Sequence, residues 1–167
     1  MTPGSSRISG SSEAFTIRPA RAAEDLAAAR QLYREYRDFL GDVELPGYDD
    51  EIAGLPGKYA PPTGELLVAH GSDGAALGCI ALQPLPDGSA EVKRLFVRPA
   101  GRGLGLGRAL IRAIEAEARR IGYPELRLDT LPRLVAAVAL YRSLGFDYVD
   151  RYNDNPNAGV VFLAKRL

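Results

Sequence analysis

Residues 91–107 read Glu-Val-Lys-Arg-Leu-Phe-Val-Arg-Pro-Ala-Gly-Arg-Gly-Leu-Gly-Leu-Gly. An apolar strand pattern runs into a turn with glycine at every second position, and helical periodicity follows from Arg108. In such a turn backbone amides converge, glycine removes the side chains that would screen them, and the helix dipole adds positive potential. The stretch is therefore built to cradle an anion. Two common phosphate motifs do not fit. A P-loop needs Gly-Lys-Ser or Gly-Lys-Thr where this chain has Gly107, Arg108 and Ala109. A dinucleotide fingerprint needs G-x-G-x-x-G, and the alternating glycines offer no such register.

Two carboxylates stand where an ionisable group needs a reason. Glu91 begins the predicted central strand, which other elements should cover on both faces. Asp129 ends the strand that follows the helix, at the C-terminal edge where open α/β sheets bind ligands. Structural roles are open to both: Glu91 could pair with Lys93 or Arg94, and Asp129 could help cap a helix after Thr130. Cys79 alternates with apolar neighbours and reads as core; an acyl-carrying cysteine would need a base, and no spacing links it to His70. One cysteine and one histidine make neither an intramolecular disulfide nor a typical zinc site, so no metal is expected.

The elements that must hold these groups follow from periodicity. Residues 1–13, rich in Ser, Gly and Thr, read as a flexible tail, with the folded domain over 14–167. A short strand at 15–18 precedes an amphipathic helix over 25–40 with Leu26, Ala29, Tyr33, Tyr36 and Leu40 on its apolar face. A loop with a local acidic excess, Asp42, Glu44, Asp49, Asp50 and Glu51, has room for one short helix near 49–53. Strands at 66–69, 76–82 and 90–97 then form a meander, with a hairpin turn over 71–74. After the glycine turn come a helix over 108–121, a strand at 126–129, a helix from Thr130 to Leu144 with Val135, Ala136, Leu140 and Leu144 inward, and strands at 146–152 and 160–164. A strand reached through a helix implies a parallel crossover. The fold class is α/β, with a mixed, mostly antiparallel sheet.

Taken together, several motifs resemble the GNAT superfamily of N-acetyltransferases. Arg102 to Gly107 follows its pyrophosphate-turn pattern: Arg or Gln, two residues, Gly, one residue, Gly or Ala. Leu95-Phe96-Val97 leading to Pro99 resembles its splayed central strand, Leu128-Asp129 the parallel neighbour, and Ala137, Leu140-Tyr141 and Gly145-Phe146 its Ala-x-x-Leu-Tyr-x-x-x-Gly-Phe signature. The chain is also similar to a subgroup with the Glu-x-Lys-Arg strand start, the Leu-Asp-Thr-Leu segment and an Asn-Pro near the end. The resemblance implies a single-domain fold with one parallel central pair flanked by helices. It further implies acetyl-CoA as co-substrate, held by Arg102, Gly103, Leu104, Gly105, Leu106, Gly107 and Arg108 and along Leu95, Phe96 and Val97. One departure stands out: many members carry Asn where this chain has Leu134, so a side-chain contact to the cofactor is lost.

Acetyl transfer from a thioester to an amine needs an oxyanion donor, which a backbone N–H at Leu95–Val97 would supply. It needs a proton acceptor, because a lysine-like amine is charged up to about pH 10.4, and a proton donor for the leaving thiolate. The resemblance puts Tyr141 beside the sulfur as that acid. For the base, Glu91 stands slightly ahead of Asp129, with a water wire as the remaining route. An acyl-CoA-sensing module without catalysis is the alternative, suggested by Leu134 and the undecided base. Lys plus Arg equals Asp plus Glu, 21 each, so nucleic acid and anionic membrane surfaces are not expected partners. The expected acceptor is a small-molecule or peptide amine, of cationic type if the acidic loop borders it. Tyr148, Tyr152 and Asn155 are candidate contacts on the acceptor side. A cytoplasmic location is expected from cysteine usage and the lack of a signal pattern, and a homodimer is left open.

Overall fold

The structure, a computed structural model, describes residues 14–167, so the tail expected over 1–13 lies outside the described residues. In chain order the elements are β1 (Phe15–Pro19), α1 (Ala23–Leu40), α2 (Tyr48–Ala53), a 3-10 turn (Gly57–Tyr59), β2 (Glu65–Gly71), β3 (Ala76–Pro84), β4 (Ala90–Val97), a second 3-10 turn (Pro99–Gly101), α3 (Leu106–Ile121), β5 (Glu125–Thr130), α4 (Val135–Ser143), β6 (Asp147–Val149) and β7 (Val161–Arg166). The strands make one seven-stranded sheet in the order β1-β2-β3-β4-β5-β7-β6. Neighbours are antiparallel except β4 and β5, the pair joined through α3, as the crossover pattern predicts.

Side chains alternate across the sheet, and both faces of its centre are covered. Leu67, Ala69, Ile80 and Leu82 pack with Leu110, Ile111 and Ile114 of α3 on one face. Leu66, Val68, Cys79 and Ala81 pack with Ala29, Leu32 and Tyr33 of α1 on the other. Burial on both sides explains why β2 and β3 read as nearly continuous apolar runs. The α1 helix has no side-chain cap, in keeping with the missing Ser, Thr or Asn at its start; Glu24 and Asp25 in its first turn complement the dipole instead.

Two elements differ from the sequence reading. The last helix begins at Val135 rather than behind Thr130, which belongs to β5. Pro132 disfavours helical backbone at Leu131, and the intervening residues form a turn closed by Leu134 N–H donating to Leu131 O at 3.0 Å. That shift rotates Val135 out to 70 % exposure, while Ala137, Leu140 and Leu144 pack on the core. The expected strand at 146–152 is only Asp147–Val149. Beyond it, Asn155 N–H donates to Asn153 Oδ1 and Asn157 N–H to Asn155 Oδ1, so side chains spaced by two take over the backbone bonding that a strand would need.

The feature that shapes the site is a parting of the two parallel strands. Their pairing is confined to Ala90 with Leu126 and Glu91 with Arg127, although β4 continues to Val97 and β5 to Thr130. On its other edge β4 carries a bulge: β3 partners step from Phe96 at Cys79 to Lys93 at Ala81, leaving one extra residue in β4. Arg94 sits there at φ 60°, the only non-glycine positive φ among the described residues. A bulge bends and twists its strand, and here the bend follows the point where β5 is released. Cys79 is fully buried, its thiol donates to Arg94 O at 3.4 Å, and burial pushes its pKa up to about 12, so it serves the core and the bulge.

Candidate active site

The β4 strand runs from this parting through Pro99–Gly101 into the glycine turn. Gly103 and Gly105 adopt φ 79° and 74°, conformations that cost a residue with a Cβ about 1–2 kcal/mol. The first helical bond of α3 is Ala109 N–H to Gly105 O at 3.1 Å, and the helix has no side-chain cap. The amides of 103–108 therefore have no acceptor among the described residues. Arg102, Gly103, Leu104, Gly105 and Arg108 are exposed, whereas Leu106 anchors the turn in the core at 1 % exposure. Gly107 lets α3 approach α4: a Cβ there would lie 3.2 Å from Leu140 Cδ2. These residues fit a pyrophosphate, since open amides and a helix start are what such an anion needs.

Where β4 and β5 diverge, a cavity of about 280 Å³ opens, lined by Lys93 and Arg94 of β4, Asp129 and Thr130 of β5, Leu131 and Leu134, Tyr36 and Leu40 of α1, and the loop of Asn153, Asn155 and Asn157. Asp129 accepts Asn153 Nδ2 at 2.7 Å and Asn155 Nδ2 at 3.2 Å, and Lys93 Nζ stands 4.0 Å from it. Glu91 does not line this cavity. It is 3 % exposed and accepts Tyr152 Oη at 2.5 Å, Gln83 Nε2 at 2.6 Å and Asn153 Nδ2 at 3.2 Å. Burial, then the Glu91 charge, push the Tyr152 phenol well above its ordinary range, so Tyr152 is the donor in that contact. One amide, Asn153 Nδ2, bridges the two carboxylates.

Tyr141 lies on α4 at 7 % exposure, with its ring edge-on to Phe146 at 5.8 Å. Burial raises its pKa well above 10, and Tyr36 and Asp129 add to the shift. Burial pushes Tyr36 up to about 12, with Asp129 among the contributors. Tyr36 and Asp129 line the cavity, whereas Tyr141, like Glu91, is not among its lining residues. Of the other residues singled out in sequence, Phe96 packs against Tyr36 at 5.7 Å and Phe39 at 6.0 Å, and Leu95 and Val97 pack on the α3 side. Tyr148 is 56 % exposed on β6 with Arg142 over its ring, and it is not among the residues lining this cavity.

Sequence reasoning missed Lys93 and Arg94 as cavity residues and Tyr36 as more than core. Two adjacent cations inside a central strand were the available signal. Strict alternation would have sent them to opposite faces, and only the bulge lets both reach the wall. The acidic loop is also not what its sequence suggests: Glu51 turns inward to Arg94 and Lys58, and Asp49 pairs with Arg37. Among the described residues no cluster of three or more His, Cys, Asp or Glu side chains could hold a metal, and no helix is long and apolar enough to cross a membrane.

Known proteins resemble this chain in sequence and in fold. An uncharacterized N-acetyltransferase of Schizosaccharomyces pombe is 41 % identical over 151 residues, covering 89 % of this chain and 93 % of its own. An acetyltransferase of Streptococcus agalactiae has the same fold at TM-score 0.78 and 22 % identity, over 93 % of this chain and 99 % of its own. So does yncA of Salmonella typhimurium, solved with its cofactor acetyl-CoA, at TM-score 0.73 and 22 % identity, over 91 % and 93 %. The acetyltransferase (GNAT) family model matches residues 26–146, across the parted strands, the glycine turn and Tyr141, and the chain belongs to that family as an N-acetyltransferase.

Proposed function

We propose that the protein transfers the acetyl group of acetyl-CoA to a primary amine by direct attack through a tetrahedral intermediate. The observation that carries this reading is the parting of β4 from β5 after Glu91 and Arg127, which opens a cavity on one side and runs into the free amides of the glycine turn on the other. When bound, acetyl-CoA supplies the activated acetyl group and a thiolate leaving group. The amides of 103–108, with Arg102 and Arg108 beside them, hold its pyrophosphate. A main-chain N–H among Leu95, Phe96 and Val97, on the edge that β5 has left, stabilises the oxyanion. As the N–C bond forms and the C–S bond breaks, the amine proton passes to Asp129 and the thiolate takes one from Tyr141 Oη.

Asp129 takes precedence over Glu91 as the proton acceptor. Three hydrogen bonds already occupy the lone pairs of Glu91, and it does not line the cavity. Glu91 instead positions Tyr152 and Asn153, and Asn153 in turn orients Asp129. Leu134 offers no side-chain hydrogen bond, so the cofactor's pantetheine arm rests on main-chain contacts near the strand edge.

Asp129→Asn tests the assignment. The isosteric amide should lower kcat by roughly 10²-fold or more while leaving acetyl-CoA affinity nearly intact; a loss below about threefold would hand the role to water or Glu91. Gly105→Ala, by contrast, should act on the donor side. Its Cβ meets no atom within 4 Å, so the damage is confined to the left-handed backbone. We expect about 1 kcal/mol less stability in urea and a raised KM for acetyl-CoA with little change in amine KM.

A further inference from the structure

Taking the acetyl-transfer reading as given, the charges half-buried in the cavity point to more than an amine. Lys93 is 16 % exposed, and its Nζ lies 3.8 Å from Glu91 Oε1 and 4.0 Å from Asp129 Oδ1, beyond hydrogen-bond reach. Among the described residues its ammonium thus has attractive neighbours and no acceptor at contact distance. Arg94 gives Nε and Nη2 to Glu51 at 2.9 and 3.0 Å, which leaves Nη1 without a protein acceptor among the described residues. Its guanidinium is held under the Tyr48 ring at 4.7 Å, a fixed rather than a mobile cation. The remaining lining carboxylates, Glu44 and Asp154, are exposed; Arg94 is matched by Glu51, and Lys93 stands between Glu91 and Asp129 as the sheltered cation without a contact partner among the described residues.

We infer that the acceptor is amphoteric: an amino acid whose amine faces Asp129, whose carboxylate faces Lys93 and the free edge of Arg94, and whose apolar side chain lies against Tyr36, Leu40, Leu131 and Leu134. A carboxylate brings the two acceptor oxygens that these donors lack. A polyamine would instead set a second cation against Lys93 and Arg94 in a sheltered site, where like charges repel most strongly. The cavity, about 280 Å³, suits a molecule of amino-acid size. Of the acidic loop that favours a polycation on sequence grounds, Glu51 is spent on an interior pair with Arg94 and Lys58, and Asp49 pairs with Arg37 at the surface.

Thiol release from acetyl-CoA with matched pairs, leucine against isoamylamine and phenylalanine against phenethylamine, tests this. After correction for the free-amine fraction, each amino acid should exceed its decarboxylated partner in kcat/KM by about tenfold or more. Lys93→Met should collapse that ratio toward one, chiefly by raising KM for the amino acid. Should that variant fold poorly, thermal protection of the wild-type protein gives a second reading: N-acetylleucine should stabilise it and N-isoamylacetamide should not. Equal or better turnover of the decarboxylated amines, a ratio that survives Lys93→Met, or equal protection by both acetamides would overturn the inference and leave the acetyl-transfer reading standing. No thiol release with either class would overturn both.

Discussion

Tyr141→Phe is expected to lower kcat by roughly 10²- to 10⁴-fold, the usual contribution of a positioned general acid. Burial sets the protonation state of this phenol. With Tyr141 enclosed by the core, and with Tyr36 and Asp129 adding negative potential, its proton is held to a pH well above the range where a departing thiolate forms, near 8.5 for a simple thiol. A phenol in that state stays protonated at the working pH, so its O–H is there to hydrogen-bond the departing sulfur and it cannot serve as a base, although the raised pKa makes it a weaker acid than a free phenol. Phenylalanine keeps the edge-on contact with Phe146, so the ring packing survives and only the hydroxyl is lost. Stability in urea should change by less than about 1 kcal/mol. The fall should appear equally in kcat and in kcat/KM for acetyl-CoA, as for an interaction made only in the transition state. A variant with near-normal kcat would make Tyr141 a packing residue and move the acid elsewhere.

The largest stability effect is expected at Glu51, far from the glycine turn. Glu51 joins Arg94 in a two-pronged ion pair, with side chains 9 % and 11 % exposed, and takes Lys58 at 3.0 Å as well. Tyr33 and Tyr59 share the same interior, and neither is a carboxylate that could replace Glu51 as counter-ion. Glu51→Gln leaves the Arg94 guanidinium buried without its counter-ion, which should cost about 3–5 kcal/mol and lower Tm by roughly 10 °C. The double variant Glu51→Gln/Arg94→Met should recover much of that loss, because it leaves no unpaired charge.

Acidity should act on the same pair. Burial alone would raise the Glu51 pKa, but the Arg94 hydrogen bonds and charge, with Lys58, bring it below its ordinary value. A depressed carboxylate contributes its full stability above the unfolded pKa, about 4.3, and loses it as pH falls through the folded value. The gap in urea midpoint between wild type and Glu51→Gln should therefore be widest near neutrality and narrow in acid. A gap that stays constant with pH would mean that shape rather than charge is at stake.

The glycine turn, the parallel crossover and the inner face of α3 were legible in the sequence because each depends on local rules. Left-handed backbone demands glycine at 103 and 105, a strand–helix–strand order demands a parallel pair, and Leu110, Ile111 and Ile114 repeat at helical spacing. That Asp129 stands at the end of a parallel strand was legible for the same reason, and there it lines the cavity. What escaped depends on contacts across long separations. Two of the three partners of Glu91 lie 61 and 62 residues away at Tyr152 and Asn153, and no spacing rule brings them to β4. Glu51 reads as one more acid in an exposed loop until the bulge at Arg94 swings a cation beneath it, 43 residues on. The same bulge breaks the alternation that would have placed Lys93 and Arg94 on opposite faces. Leu131–Pro132 moves the start of α4 by a turn and so inverts Val135, a change that apolar periodicity cannot register.

Release of free CoA thiol from acetyl-CoA, followed at pH 8 with and without a panel of primary amines, decides whether the protein acetylates an amine. Release that depends on the amine, saturates in both substrates and fails together in Tyr141→Phe and Asp129→Asn is the predicted result. Tight binding of acetyl-CoA with no amine-stimulated release across the panel would contradict it.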